Sequence, residues 1–302
     1  MRGRGQVPPS ALARSLERAK RLVAGHLDPA VPPGDRLREI GKNLKVTRIE
    51  PGAMRAAGFL NKQTDGTFAI CYANDMLERR RFTVAHELAH LILDKYHKHL
   101  RFDQTQSTLA THSSAVEKAV DRIAAELLMP EALVVRLLRD NCSTQRESSV
   151  RGEIDKRKVV QAVGKGLGVS ELALVLRLLE LKDLLAIQLE FEWTKDDPFT
   201  DANRVRISQS QHGCLRIDSY SYPSRATLER SDGWELPVFV TTTWGRRTIH
   251  CHAWRRSPFG KRTDRVKTWI VGWTWNTFPA PKWDDSEFMP SSVRKSQTGR
   301  SS

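Results

Sequence analysis

The sequence predicts an α+β protein in three parts: a mainly helical domain with a small sheet, a helix-turn-helix-like unit, and a C-terminal, mainly antiparallel β domain. Three observations predict it. Between residues 35 and 140 apolar residues recur at helical spacing, broken by two short alternating runs. Residues 155–181 read as a helix, a glycine-containing turn and a serine-capped helix. From residue 185 the period becomes two, in runs separated by Gly, Pro, Asp and Ser. The expected divisions of the 302 residues are 1–34 (a basic flexible arm), 35–150 (the helical domain), 151–183 (the helix-turn-helix-like unit), 184–290 (the β domain) and 291–302 (a disordered tail).

Arg, Gly and Pro dominate residues 1–9, and a basic helix is expected over 10–26. Pro29, Pro32, Pro33 and Gly34 then break the chain. Leu37, Ile40 and Leu44 align on a short helix over 35–45. Strands are expected at 46–50 and 68–72, with Thr64-Asp65-Gly66 as a turn before the second. Residues 77–95 form a helix. Residues 96–114 form a polar loop holding His97, His99 and His112, none of which is assigned a role. A second long helix covers 115–129. Pro130 opens a helix over 131–140, and a polar linker follows to 152.

The helix over 77–95 carries His86-Glu87-x-x-His90. Histidines four residues apart share one helix face, so both imidazoles can reach one ion. In metalloproteases the glutamate after the first histidine takes the proton from the attacking water. Residues 82–93 are otherwise apolar nearly all round, which predicts a buried helix. Polar groups buried there need partners, and a metal supplies one. Two hydrogen-bonded core histidines are the plainer alternative. A catalytic Zn²⁺ takes three protein ligands. On the next helix Glu117 borders the apolar stripe of Val116, Val120, Ile123 and Ala124 and is the favoured third ligand; Glu126 competes with it. Asp121, one turn beyond Glu117, can accept the free N–H of a ligand histidine.

These residues resemble a known family, the ImmA/IrrE-type metallopeptidases. The likeness runs through Asn74, Arg80-Arg81-Phe82-Thr83-Val84-Ala85-His86-Glu87-Leu88-Ala89-His90, and Glu117-x-x-x-Asp121-x-x-Ala124-Ala125-Glu126-Leu127-Leu128-Met129-Pro130. It covers about residues 35–183. Ala89 stands where the family often has Gly, and Asp121 where it often has Asn; both changes keep the needed helix and acceptor. The resemblance implies a zincin-like fold over 35–150, Zn²⁺ held by His86, His90 and Glu117, Glu87 as the catalytic carboxylate, and cleavage of a helix-turn-helix transcriptional repressor in a stress or mobile-element response. In zincin-type enzymes an edge strand beside the metal helix holds the substrate in extended form, and the strand at 68–72 is the expected one.

In the helix-turn-helix-like unit the second helix offers Arg177 and Lys182 as its basic groups, so packing support and DNA binding stand level. Beyond it, Ile187, Leu189, Phe191 and Trp193 alternate. Val238, Val240 and Thr242 do so too, as do Ile249, Cys251 and Ala253, and Trp269, Val271, Trp273 and Trp275. His250-Cys251-His252 reads as strand, because alternation turns the cysteine away from both histidines. All eight tryptophans lie between Trp193 and Trp283. Core packing is the first reading for most of them. Interleaved Arg246, Arg247, Arg255 and Arg256 are candidate nucleic-acid contacts.

The net charge is +14, yet residues 46–150 carry fourteen basic and thirteen acidic side chains. The excess therefore lies outside the metal motif, as a polyanion partner or plain solubility would require. An alternative function follows: a nucleic-acid-binding regulator that keeps the protease core as a scaffold, or a peptidase switched on by nucleic acid. Four scattered cysteines without a C-x-x-C pair suit a reducing compartment. The first residues lack an apolar signal-peptide core, and no stretch approaches the ~18 apolar residues of a membrane span. A soluble cytoplasmic protein without a membrane partner is expected.

Overall fold

A computed structural model describes residues 7–52, 57–97, 114–148, 154–182, 184–194, 204–210, 216–220, 235–242, 245–255 and 265–275. Most of the expected loop over 96–114, the tail over 291–302 and Arg256 lie outside these residues. The fold mixes helices with a small three-stranded sheet and a C-terminal antiparallel sheet of six strands. Two compact units emerge: Met1–Asn141 with Ala162–Leu174, and Cys142–Gln161 with Val175–Ser302. The segment 151–183, expected as a unit of its own, is divided between them.

The first unit opens with α1 (Pro9–Ala24) and α2 (Pro33–Asn43), each preceded by a second proline. A fixed φ and a missing N–H suit the first helical turn. Ala11, Ser15, Ala19 and Val23 are buried on α1, at four-residue spacing, and α1 packs on α3 (Leu77–His97) and α4 (Ser114–Leu128). The expected flexible arm over 1–34 is therefore corrected: most of it is a docked part of the first unit. Alanine and serine make a flat, close-fitting face that a hydropathy reading undervalues. On α2, Leu37 and Ile40 are buried, and so is Arg36, whose Nη2 donates to Leu128 O at 3.0 Å. That bond satisfies a carbonyl left open at the C-terminal end of α4.

Strands β1 (Val46–Gly52), β2 (Gly58–Lys62) and β3 (Phe68–Ala73) lie in the order β1-β3-β2. β3 runs parallel to β1 and antiparallel to β2. The strand expected to bind substrate at its edge, 68–72, is thus the middle strand. Its backbone is paired on both sides, and β1 and β2 hold the two edges. β2 went unread because Gly58-Phe59-Leu60-Asn61-Lys62 shows no apolar alternation. Helix α5 (Glu131–Ser148) runs eight residues past its expected end, since Asn141–Ser148 is polar but contains neither Gly nor Pro.

Helices α6 (Lys156–Leu167) and α7 (Glu171–Leu178) meet at 105°, within the range of helix-turn-helix units. Gly168 has a φ of +64° in the turn, and Ser170 Oγ accepts from Ala173 N at 3.2 Å as an N-cap. Among the described residues no single helix is long and apolar enough to cross a membrane.

The second unit is built on a sheet ordered β5-β4-β9-β8-β7-β6. Its strands are β4 (Leu184–Thr194), β5 (Arg204–Gln209), β6 (Arg216–Tyr220), β7 (Glu235–Thr242), β8 (Gly245–Arg255) and β9 (Arg265–Trp275). Leu185, Ile187, Leu189, Leu236, Val238, Val240, Ile249 and Cys251 form one buried core, which Ile217 and Tyr220 join. They are the alternating residues of the period-two runs. On β4 the intervening Leu184 and Ala186 are also fully buried, so this strand is covered on both faces. Buried Lys156, in the first turn of α6, donates from Nζ to Trp273 O at 2.8 Å and to His250 O at 3.0 Å. It joins the helix start to β8 and β9. Trp273 is 2% exposed, in line with the core reading of the tryptophans.

Candidate metal centre

Helix α3 buries Val84, Ala85, Leu88, Ala89, Ile92 and Leu93 and leaves the side of Phe82, His86 and Glu87 partly open. One turn separates His86 from His90, and their Nε2 atoms lie 3.2 Å apart. From α4, Glu117 Oε2 comes to 3.2 Å from His86 Nε2. One ligand atom from each of His86, His90 and Glu117 falls within 4.8 Å of the others. Two ligands of a tetrahedral Zn²⁺ at about 2.0–2.1 Å stand about 3.3 Å apart, so the donor set fits that ion. Two imidazole nitrogens that face each other across 3.2 Å gain from a cation between them. This three-residue group could hold a metal. Glu126, the competitor for the third place, is buried on α4 and is not part of the group.

Asp121 Oδ1 lies 3.0 Å from His86 Nδ1. That contact fixes the ring and leaves Nε2 to face the site. Burial lowers the pKa of His86, but the Asp121 bond and the charges of Glu87, Asp121 and Glu117 outweigh it and raise it overall. A bound cation would act the other way, holding the ring neutral. Burial pushes the Glu87 carboxyl up to about 7; His86 opposes the shift and Glu117 adds to it.

Sequence reasoning missed what lies over Glu87. A Cβ added to Gly58 of β2 would collide with Thr83 Cγ2, and would lie 3.2 Å from Cys71 O and 3.5 Å from Glu87 Oε1. The edge strand β2 therefore runs hard against α3 at the turn that carries Thr83 and Glu87. A glycine after a breaker-poor stretch was the available signal.

Of the candidate nucleic-acid residues, Arg246 and Arg247 do not share a face of the sheet. Arg246 pairs with Thr241 and Arg247 with Val240, so neighbours in sequence alternate across the sheet. Arg255 lies in β8, and Arg256 lies outside the described residues. On α7, Arg177 is 6% exposed and bonds Glu180 at 3.1 Å, which withdraws it from DNA reading. The Arg81 guanidinium rests on Gly168, so the turn before α7 packs on α3 within the first unit.

Residues 42–179 match the family described as Peptidase_M78, IrrE N-terminal-like domain. That stretch of the chain is a domain of this peptidase family, and the resemblance read from its motifs holds over it. No curated protein matches the chain. A solved structure described as a Mycobacterium tuberculosis transcriptional regulator is similar at 13% identity, with a TM-score of 0.43, over 87% of this chain and 88% of that one. A likeness that distant carries no functional argument.

Proposed function

We propose that the chain is a zinc-dependent endopeptidase. The observation that supports it is the convergence of His86, His90 and Glu117 beside the partly buried Glu87. The family match supports a metallopeptidase-type role in general. When bound, Zn²⁺ supplies Lewis acidity that activates water and polarises a peptide carbonyl. Glu87 takes the proton from the attacking water and passes it to the leaving amine. Asp121 keeps His86 in its ligand orientation. The substrate lies extended along the free edge of β2, where Gly58 brings the strand to Glu87. Its class, by family resemblance, is a helix-turn-helix transcriptional repressor in a stress or mobile-element response.

The test is Glu87→Gln. Metal content should stay at the wild-type level while cleavage of a co-expressed neighbouring repressor falls by about 10²–10⁴-fold, the usual range for loss of a general base. Cleavage at the wild-type rate overturns the assignment. Wild-type protein that takes up no metal favours the scaffold reading instead.

A further inference from the structure

Strands β6, β7 and β8 present an open face whose side chains stand in rungs. Arg216 pairs with Thr241, and Thr241 with Arg246. In the next rung Ser219 pairs with Phe239, and Phe239 with Thr248. The opposite face of the same strands carries Ile217, Val238, Val240 and Ile249 into the core. Phe239 is 47% exposed at mid-strand, while the Arg216 side chain is 76% exposed. A lone exposed phenylalanine means little, because much of any protein surface is apolar. Its placing is what matters here: successive rungs are about 7 Å apart along a strand, so both arginines reach the surroundings of the Phe239 ring.

Asp218 stands beside Arg216 and Thr241. It meets Arg216 at 3.2 Å and accepts from Thr241 Oγ1 at 2.7 Å. It therefore fixes Arg216 along the face and leaves a one-charge excess of arginine over acid. Its own pKa is lowered by the Thr241 bond, then by Arg216 and Arg246, which places Arg246 in the same charge cluster.

We propose that this face binds single-stranded nucleic acid, with one base stacked on Phe239 and the adjoining phosphates met by Arg216 and Arg246. A flat aromatic accepts any unpaired base, whereas a duplex keeps its bases stacked on one another. Long, exposed arginines beside the ring match a phosphate backbone in charge, as does the chain's +14 excess. The site is independent of the metal centre and stands or falls without it.

The experiment uses the full chain, fluorescein-labelled twelve-residue oligo-dT and oligo-U, and the same label on a duplex, with anisotropy read across a salt series. Single strands should bind at least ten-fold tighter than duplex. Phe239→Ala should weaken single-strand binding about ten-fold at every salt concentration, with Phe239→Trp restoring it. Arg246→Gln should lower the slope of log affinity against log salt by about 0.7. Equal binding of duplex and single strands overturns the proposal. So does unchanged binding by Phe239→Ala in a variant with the wild-type melting temperature. A sedimentation shift from dimer to monomer in Phe239→Ala, with oligonucleotide binding unchanged, would make the face a self-interface and also overturns it.

Discussion

Two residues outside the ligand set carry measurable consequences. Asp121 touches no substrate in the proposed mechanism, yet it orients His86 from 3.0 Å. Asp121→Ala should weaken metal binding about 10–100-fold, as supporting bonds to ligand histidines typically do, and Asp121→Asn should recover most of it. Competition with a metal chelator reads both variants. Arg36 is a structural counterpart. It is 1% exposed and its Nη2 donates to Leu128 O, while Nε has no partner among the described residues. Burial lowers its pKa, yet it stays charged at the C-terminal end of α4, where the helix dipole favours a cation. Arg36→Ala should cost about 3 kcal/mol in chemical denaturation, because a buried carbonyl loses a charged partner and a cavity opens. Arg36→Met should cost less, since it keeps the volume.

At the scale of elements, β2 is the strand to test. Gly58→Ala would set a methyl against Thr83 and Cys71 O, so β2 must move away from α3. Metal content should hold while peptide cleavage falls at least several-fold, because the shift opens the contact over Glu87. Cleavage at the wild-type rate would show that β2 does not position substrate. In the second unit Gly272 is the matching position. A Cβ there would collide with Cys251 Sγ and lie 2.8 Å from His250 O, in the middle of β9 against β8. Gly272→Ala should lower thermal stability by about 1–3 kcal/mol, as overpacking does. Helix α7, for which packing support and DNA binding stood level in the sequence, ties down Arg177 with Glu180 and exposes Leu176.

For the whole molecule, the proposed metal site links metal binding to folding. A ligand that binds only the folded state stabilises it by about 2.7 kcal/mol when present at 100 times its dissociation constant. Zinc should therefore raise the melting temperature of the wild type, and His90→Ala should remove that response. Phe239→Ala should leave it intact, because Phe239 and His90 belong to different units. The charge does not follow that division: residues 46–150 are near balance, while the excess is carried by the N-terminal helices of the first unit as well as by the second unit.

Whatever depends on short spacing was legible in the amino-acid order. A four-residue spacing from His86 to His90 puts two ring nitrogens on one helix face, and an apolar stripe placed Glu117 and Asp121 beside them. Period-two runs likewise set the inward residues of the β domain, and by the same alternation turned Phe239 outward. Strand order was beyond its reach. Whether 68–72 is an edge or a middle strand depends on β2, whose five residues carry no pattern of their own and acquire one by pairing with β3. The docking of α1 through alanines and a serine was decided in the same way, by close contact that has almost no hydropathy signature. Local periodicity records which way a side chain points. Only the tertiary structure says what stands opposite it.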